Sequence, residues 1–127
     1  MRLFLVRHAE AAPGDPDDLR PLTPAGRDAA RALGDELAAH EPQAVITSPL
    51  LRARETGELI ARACGLEAEP DERLAPGATA DTVEEAATER GDVVVAVGHQ
   101  PDCSEIVHAL TGRSVSFAPG DAQELEL

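Results

Sequence analysis

Residues 3–10 read Leu-Phe-Leu-Val-Arg-His-Ala-Glu, and this segment constrains the fold more than any other part of the sequence. Four apolar residues in a row, so close to the start of the chain, are typical of a short strand buried inside a sheet. The strand would deliver Arg7 and His8 at its carboxyl end, where open α/β sheets hold their ligands. Arg7 can bind an oxyanion, and His8 can act as nucleophile, base or metal ligand. The simpler interpretation is a strand end with two solvated polar side chains.

The remaining sequence alternates strand-like and helix-like patterns. This predicts an α/β fold, a three-layer α/β/α sandwich with a mostly parallel central sheet. We expect strands at Arg2–Val6, Ala44–Thr47 and Val93–Val97, a short edge strand at Leu66–Glu69, and a terminal hairpin of Ser114–Phe117 with Gln123–Leu127. Helices are predicted from Pro24 to about His40, from Ser48 to about Cys64, from Asp81 to about Arg90 and over Pro101–Thr111, with Thr23 and Asp81 as N-caps. No linker marks a second domain, so residues 1–127 are expected to form a single domain.

All eleven basic residues are arginine, and the formal net charge is −13. An acidic surface repels nucleic acid and anionic membranes, so neither is expected as a partner. It also slows anionic substrates, unless a local arginine cluster reverses the potential. No apolar run approaches the roughly 20 residues of a membrane helix, and no signal peptide is recognisable before the first strand, so the expected compartment is cytoplasmic. Cys64 and Cys103 are interpreted as small buried hydrophobic residues of two helices, not as a disulfide.

Three later segments have the same chemical character as Arg7-His8. Arg20–Gly26 precedes the first helix as Arg-Pro-Leu-Thr-Pro-Ala-Gly, Ser48–Thr56 follows the second strand as Ser-Pro-Leu-Leu-Arg-Ala-Arg-Glu-Thr, and Val97–Pro101 reads Val-Gly-His-Gln-Pro. In this order and spacing, the four segments resemble the histidine phosphatase superfamily, which includes phosphoglycerate mutases and acid phosphatases. The short length and the early Arg-Pro-Leu-Thr are most similar to the SixA-type phosphohistidine phosphatases. The resemblance implies a phosphoglycerate mutase-like fold and a reaction that needs no cofactor.

The resemblance also implies catalytic roles for four residues. His8 matches the nucleophile that forms a phosphohistidine intermediate, with its second ring nitrogen fixed by a partner such as a backbone carbonyl. Arg7 and Arg52 match the two arginines that hold the phosphate, and His99 matches the second catalytic histidine. If charged, His99 would add to the anion pocket. Taken alone, Arg52 would be a surface arginine of a helix, and His99 a capping residue before the next helix.

The other polar residues of the motifs have weaker assignments. Arg20 is expected to reach the phosphate or the substrate from its loop. Ser48 either supports the pocket by hydrogen bonding or caps its helix, and the two roles are compatible. His40 and His108 are interpreted as structural or surface residues. The histidines lack the short His-x-His or His-x3-His spacing of a metal site, so no metal is expected.

The sequence departs from the family pattern at three positions and lacks an evident general acid. Ala9 replaces the glycine of Arg-His-Gly, Glu55 replaces a common glutamine on what should be a solvated helix face, and Gln100 stands where acid phosphatases have an aspartate. The nearest candidates for an acid are Glu10, Glu72 and Asp81. An alcohol leaving group benefits about 10²–10⁴-fold from a general acid. The gap therefore favours phosphohistidine, which is a better leaving group, as the substrate.

Three functions are compatible with these motifs. The first is removal of a phosphoryl group from phosphohistidine on a phosphorylated protein. The second is hydrolysis of small phosphorylated substrates in general, and the third is a catalytically silent phosphate-binding module. Two histidines favour an enzyme, because a binding module needs neither. Only the loops at 11–22 and 70–79 can frame the site, which predicts a shallow, open site suited to a protein surface.

Overall fold

The computed structural model, which describes residues 1–127, has one five-stranded sheet with helices on both faces. The strands are β1 (Arg2–Arg7), β2 (Ala44–Thr47), β3 (Ala68–Pro70), β4 (Val93–Gly98) and β5 (Ala122–Glu126). The helices are α1 (Pro24–Ala38), α2 (Leu51–Ala63), α3 (Ala80–Thr88) and α4 (Asp102–Thr111), with short 3₁₀ turns at Asp17–Leu19 and Glu72–Leu74. The strands and helices predicted around the four motifs are confirmed within a few residues.

The sheet topology brings the strand ends that carry the motifs together. The strand order is β3-β2-β4-β1-β5, and all neighbours are parallel except β5, which pairs antiparallel with β1. The predicted mostly parallel sheet is therefore confirmed. Arg7 pairs with Gly98, and Thr47 pairs with Val97, so β1, β4 and β2 end side by side. The residues that follow these three strands are His8, His99 and Ser48.

The side chains of the central strands alternate between two cores, because successive residues of a strand point to opposite faces. Leu3 and Leu5 of β1 belong to the core that includes α3 and α4, whereas Phe4 and Val6 belong to the core that includes α1 and α2. The predicted three layers of helix, sheet and helix are therefore confirmed. The longest helix, α1, has 15 residues. None of the helices is both long and apolar enough to cross a membrane.

The helix starts follow capping chemistry, with one correction. Thr23 caps α1 as predicted, because its Oγ1 accepts from the N–H of Gly26 at 3.0 Å. The predicted cap of α3, Asp81, is wrong, and α3 begins earlier. Thr79 is the cap, and it forms a capping box in which its side chain and that of Thr82 each accept the other's backbone N–H. Asp81 lies in the first helical turn, where a negative charge is favourable to the helix dipole.

The predicted terminal hairpin is wrong in its first half. Residues 114–117 form no strand, and only Ala122–Glu126 does. This strand pairs with β1, at the opposite end of the chain, and not with the residues just before it. Gly120, at φ 83°, turns the chain towards β5. The Pro119-Gly120 signal thus indicated a real turn, but the strand partner is distant in sequence.

Candidate active site

His8 follows directly after β1, and one of its ring nitrogens is fixed by the backbone. The backbone N–H of His8 donates to the carbonyl of Gly98 at 3.0 Å, which continues the pairing of β1 with β4. Its Nδ1 lies 2.7 Å from the carbonyl oxygen of Ala9. Because a carbonyl can only accept, the proton is assigned to Nδ1, and Nε2 of the neutral ring carries the lone pair. The backbone partner suggested by the family resemblance is therefore present.

Thr56 holds the backbone beside His8. The N–H of Ala9 donates to Thr56 Oγ1 at 3.0 Å, and this hydroxyl donates to the carbonyl of Arg52 at 2.8 Å. Both Ala9 and Thr56 are fully buried. The φ of Ala9 is not positive, so alanine fits where the family pattern has glycine. The role of Thr56 was missed at the sequence level, although the residue ends the Ser48–Thr56 motif.

The ring of His99 lies beside that of His8, with 5.3 Å between the ring centroids. His99 is buried, and its Nε2 lies 2.7 Å from the hydroxyl of Ser48. That hydroxyl also accepts from the N–H of Leu50 at 3.2 Å, which leaves its own proton free to be donated to Nε2. With Ser48 as the donor, the proton of the neutral His99 ring is assigned to Nδ1, which is buried and has no hydrogen-bond partner. Ser48 thus contacts the site, whereas the N-cap position of α2 belongs to Leu50.

Both imidazoles are neutral near pH 7. Burial lowers the pKa of His8, and three arginine charges lower it further, although the hydrogen bond to a backbone carbonyl raises it. The three are Arg52, Arg7 and Arg20. Burial lowers the pKa of His99 to about 4, and the charge of His8 is the next largest cause. The sequence left the protonation of His99 open, and the lowered pKa of its ring favours the neutral form.

Arg7, the last residue of β1, has donors to spare. Its Nη1 donates to the carbonyl of Phe117 at 2.9 Å. Its Nε is buried and has no hydrogen-bond partner. A buried donor without a partner costs about 1–3 kcal/mol, and more in a charged group. An oxyanion bound here would remove this cost.

Arg52, in the first turn of α2, is buried and is not the surface arginine of the simpler interpretation. Its Nη1 donates to the main-chain carbonyl of Asp17 at 2.9 Å, and its Nη2 donates to the Asp17 carboxylate at 3.2 Å. Arg20 donates to the same carboxylate at 3.1 Å and, through Nε, to the carbonyl of Ala12 at 2.8 Å. Asp17 was missed at the sequence level, because it lies in an exposed loop with several aspartates and has no periodic signal.

The residues considered as general acids lie apart from the histidines. Glu10 is exposed and accepts from the hydroxyl of the α1 cap at 2.7 Å. Glu72 and Asp81 are exposed and form no side-chain hydrogen bonds. Both ends of the Gln100 amide bind Ser104, with Oε1 accepting at 2.9 Å and Nε2 donating at 2.7 Å. None of these side chains hydrogen-bonds to either histidine.

Glu55 does not lie on a solvated helix face, so that prediction is wrong. Its side chain is 21% exposed, and one oxygen accepts from the N–H of Leu22 at 2.8 Å. The other oxygen accepts from Arg27 at 3.4 Å. Ala11 and Leu22 also form an isolated β-bridge. Glu55 therefore ties the end of the 11–22 loop to α2 and so to the site.

The site lies at the carboxyl edge of the sheet, where β1, β4 and β2 end. Four cavities occur in the molecule, and their linings include none of the four residues with predicted catalytic roles.

Both cysteines are free thiols, and burial raises the pKa of Cys103 to about 12. Cys103 is thus an inert core residue, although it lies one helical turn after His99.

This fold and this arrangement of residues match a known family of enzymes. The model of the histidine phosphatase superfamily (branch 1) matches residues 3–117, which is most of the chain. The protein therefore belongs to the histidine phosphatase superfamily, as the four motifs indicated. The prediction of a histidine-type phosphatase is confirmed at this level.

Individual relatives have the same fold. A solved structure of the protein histidine phosphatase SixA complexed with tungstate has a TM-score of 0.83 and 26% identity, over 99% of this chain and 95% of that chain. A candidate phosphohistidine phosphatase SixA from Agrobacterium tumefaciens has a TM-score of 0.74 and 28% identity, over 88% and 77%. An uncharacterized protein from Picosynechococcus sp. is 35% identical over 121 residues, or 87% of this chain and 73% of the relative. The predicted similarity to SixA is confirmed.

Proposed function

We propose that this protein removes phosphoryl groups from phosphohistidine on a partner protein, through a covalent intermediate on His8. The observation that carries the proposal is the pair of neutral imidazoles, the half-buried His8 and the buried His99, with 5.3 Å between their centroids. His8 offers the lone pair of Nε2, and His99 offers an unpaired donor at Nδ1. A nucleophile and an adjacent donor for a phosphoryl oxygen are what this chemistry requires.

The reaction has two balanced steps. In the first, the Nε2 lone pair of His8 forms a bond to phosphorus, and the bond from phosphorus to the substrate's ring nitrogen breaks. The bonding electrons leave with the substrate imidazole, which departs neutral when its other nitrogen carries a proton. In the second, a water oxygen bonds to phosphorus, the bond to Nε2 breaks with its electrons returning to the ring, and the product leaves as dihydrogen phosphate, which carries both protons of the water. His8 regains its lone pair.

The arginines supply the charge that such a transfer needs. The buried Nε of Arg7 and the remaining hydrogens of Arg52 can donate to the nonbridging oxygens, together with Nδ1 of His99. The tungstate complex of the related SixA supports this proposal, because tungstate is a tetrahedral oxyanion like phosphate. Positioning and electrostatic stabilisation provide most of the rate in phosphoryl transfer.

Two features support a phosphorylated protein as the substrate. The ring of His8 is half-buried at the carboxyl edge of the sheet, a position that a residue on a protein surface could approach. No carboxylate is placed to protonate a leaving group at the histidines, and phosphohistidine needs less protonation than an alkyl phosphate.

We further propose that residues 1–127 act as a single domain and that the protein is cytoplasmic. The sheet shared by both cores and the two free thiols support these two proposals.

Trapping the phosphoenzyme tests the proposal. Wild type, His8→Asn and the control His108→Asn, which changes an exposed histidine, are reacted with labelled phosphoramidate and quenched in base, where phosphohistidine persists. We expect label on wild type and on His108→Asn, and none on His8→Asn. Equal labelling of His8→Asn would reject the nucleophile. No label on any of the three, together with tight orthovanadate binding, would favour the silent binding module.

A further inference from the structure

One carboxylate, that of Asp17, joins two of the three arginines at the site. Arg52 binds Asp17 through both terminal nitrogens, with Nη1 donating to the main-chain carbonyl at 2.9 Å and Nη2 to Oδ2 at 3.2 Å. Oδ1 accepts from Nη1 of Arg20 at 3.1 Å. The Arg52 side chain is 10% exposed and that of Asp17 is 65% exposed. A loop residue at the surface therefore holds a buried guanidinium from outside.

Asp17 occupies only part of the Arg52 guanidinium. The group has five N–H donors, and Asp17 accepts from two of them. The N–H at Nε and the second hydrogen of each terminal nitrogen have no partner in the protein. The free hydrogens lie in the plane of the guanidinium, a group whose N–H donors commonly bind oxyanions. Arg52 can thus bind Asp17 and a phosphoryl group at the same time.

The same contacts hold the loop in place. Residues 13–19 are all exposed, and the 3₁₀ turn at Asp17–Leu19 buries no residue. Every hydrogen bond from this segment to the rest of the chain runs through Asp17. Packing therefore does not hold this segment, and its polar contacts with Arg52 and Arg20 do.

We propose that Asp17 is a positioning residue, which orients Arg52 and Arg20 so that their free N–H groups meet the phosphoryl oxygens. The inference rests on the proposed function for the identity of the substrate, but the binding step can be measured with any tetrahedral oxyanion. It predicts the opposite of a simple charge argument. Removing a negative charge beside an anion site should strengthen anion binding by Coulomb attraction, whereas loss of orientation weakens it.

Orthovanadate binding to four proteins tests this inference: wild type, Asp17→Ala, Asp17→Asn and the control Asp18→Ala. Asp18 is the next residue, also acidic and exposed, and its side chain forms no hydrogen bond or ion pair. We expect the Kd of Asp17→Ala for orthovanadate to rise about 10- to 100-fold. Asp17→Asn should lie between Asp17→Ala and wild type, because its amide oxygen can still accept. Asp18→Ala should stay within about twofold of wild type.

Steady-state rates and thermal unfolding separate positioning from a structural role. With a phosphohistidine substrate, Asp17→Ala should lower kcat as well as raise KM, because Arg52 binds the phosphoryl group in the transition state too. A loop that merely covered the site would change KM alone. Unchanged or tighter orthovanadate binding in Asp17→Ala, with a thermal unfolding curve like that of wild type, would overturn the inference.

The outcome for Asp17 is independent of the outcome for the proposed function. If wild type is labelled by phosphoramidate but Asp17→Ala binds orthovanadate normally, the inference fails and the function stands. If wild type is never labelled but Asp17→Ala binds orthovanadate weakly, the function fails and the inference stands.

Discussion

Thr56→Val tests the hydrogen bond that fixes the backbone after β1 to α2. Valine has nearly the shape of threonine, so the substitution removes the hydroxyl without opening a cavity. The N–H of Ala9 then loses its acceptor, at a position where both residues are fully buried. The carbonyl of Arg52, which also receives the Thr56 hydroxyl, keeps its helical N–H partner. The main cost is therefore one unpaired buried donor.

The expected loss of stability follows from that donor. An unsatisfied buried N–H costs about 1–3 kcal/mol. For a chain of 127 residues, a loss of about 2 kcal/mol lowers Tm by about 7 °C. Thr56→Ser is the matched control, because it keeps the hydroxyl and removes only a buried methyl group. Its cost should be about 1 kcal/mol, or about 4 °C.

The two variants should also differ in activity. Ala9 accepts the Nδ1 proton of His8, so a displaced Ala9 would misalign the proposed nucleophile. We expect phosphoenzyme formation to slow about 10-fold in Thr56→Val, and less than twofold in Thr56→Ser. Thermal unfolding followed by circular dichroism and a quenched labelling time course measure the two effects. A Thr56→Val protein as stable as wild type, or as fast as Thr56→Ser, would refute this reasoning.

Three further predictions concern pH, packing and substrate. The pKa of His99 is about 4 in the folded protein, below the unfolded value of 6.5, so between these pH values the unfolded chain binds a proton at His99 that the folded protein does not. The free energy of unfolding should therefore fall by about 2 kcal/mol as pH drops from 6.5 to 4. Urea unfolding at several pH values should show this loss reduced in His99→Gln, and an equal loss would contradict it. In Gly26→Ala, the added Cβ would collide with the carbonyl oxygen of Glu10. We therefore expect the free energy of unfolding to fall by about 1–3 kcal/mol, although alanine has the better helix propensity. A raised Tm would disprove the close contact. Competition assays should give a kcat/KM at least about 100-fold higher for phosphohistidine than for an alkyl phosphate, and equal values would reject the proposed substrate class.

The elements that the sequence predicts well are those with a strong local signal. The strands β1, β2 and β4 are short apolar runs that end in the site motifs, and a parallel sheet necessarily gathers such ends at one edge. The errors lie where two local signals compete or the partner is distant. Thr79 and Asp81 are both good capping residues, and each has a possible capping-box partner three residues later, Thr82 and Glu84; the structure forms the box of Thr79 with Thr82. The strand Ala122–Glu126 pairs with β1, and no local pattern shows that.

The same distinction applies to the site. His8, His99 and Ser48 could be grouped from the sequence, because each follows a predicted strand. Asp17 and Thr56 could not, because their contacts join segments 35 and 47 residues apart, and neither residue type signals such a contact. They are also the residues that orient Arg52 and the backbone of Ala9. The groups proposed to carry chemistry were thus predictable, whereas the groups that hold them in place required the fold.

Under the proposed function, the charges of the site explain how an acidic protein could bind a phosphoryl dianion while His8 stays unprotonated. Arg7, Arg20 and Arg52 bring three positive charges and Asp17 one negative, which leaves two positive charges beside His8. At about 4 Å and an effective dielectric constant of about 20, each such charge acts on an anion with about 4 kcal/mol. Exposed carboxylates beyond the Debye length of about 8 Å are largely screened, so the net charge of −13 matters less at close range. Burial is the largest cause that lowers the pKa of His8, and the same arginines lower it further, so the charges that would attract a phosphoryl group also favour an unprotonated Nε2 for the proposed attack.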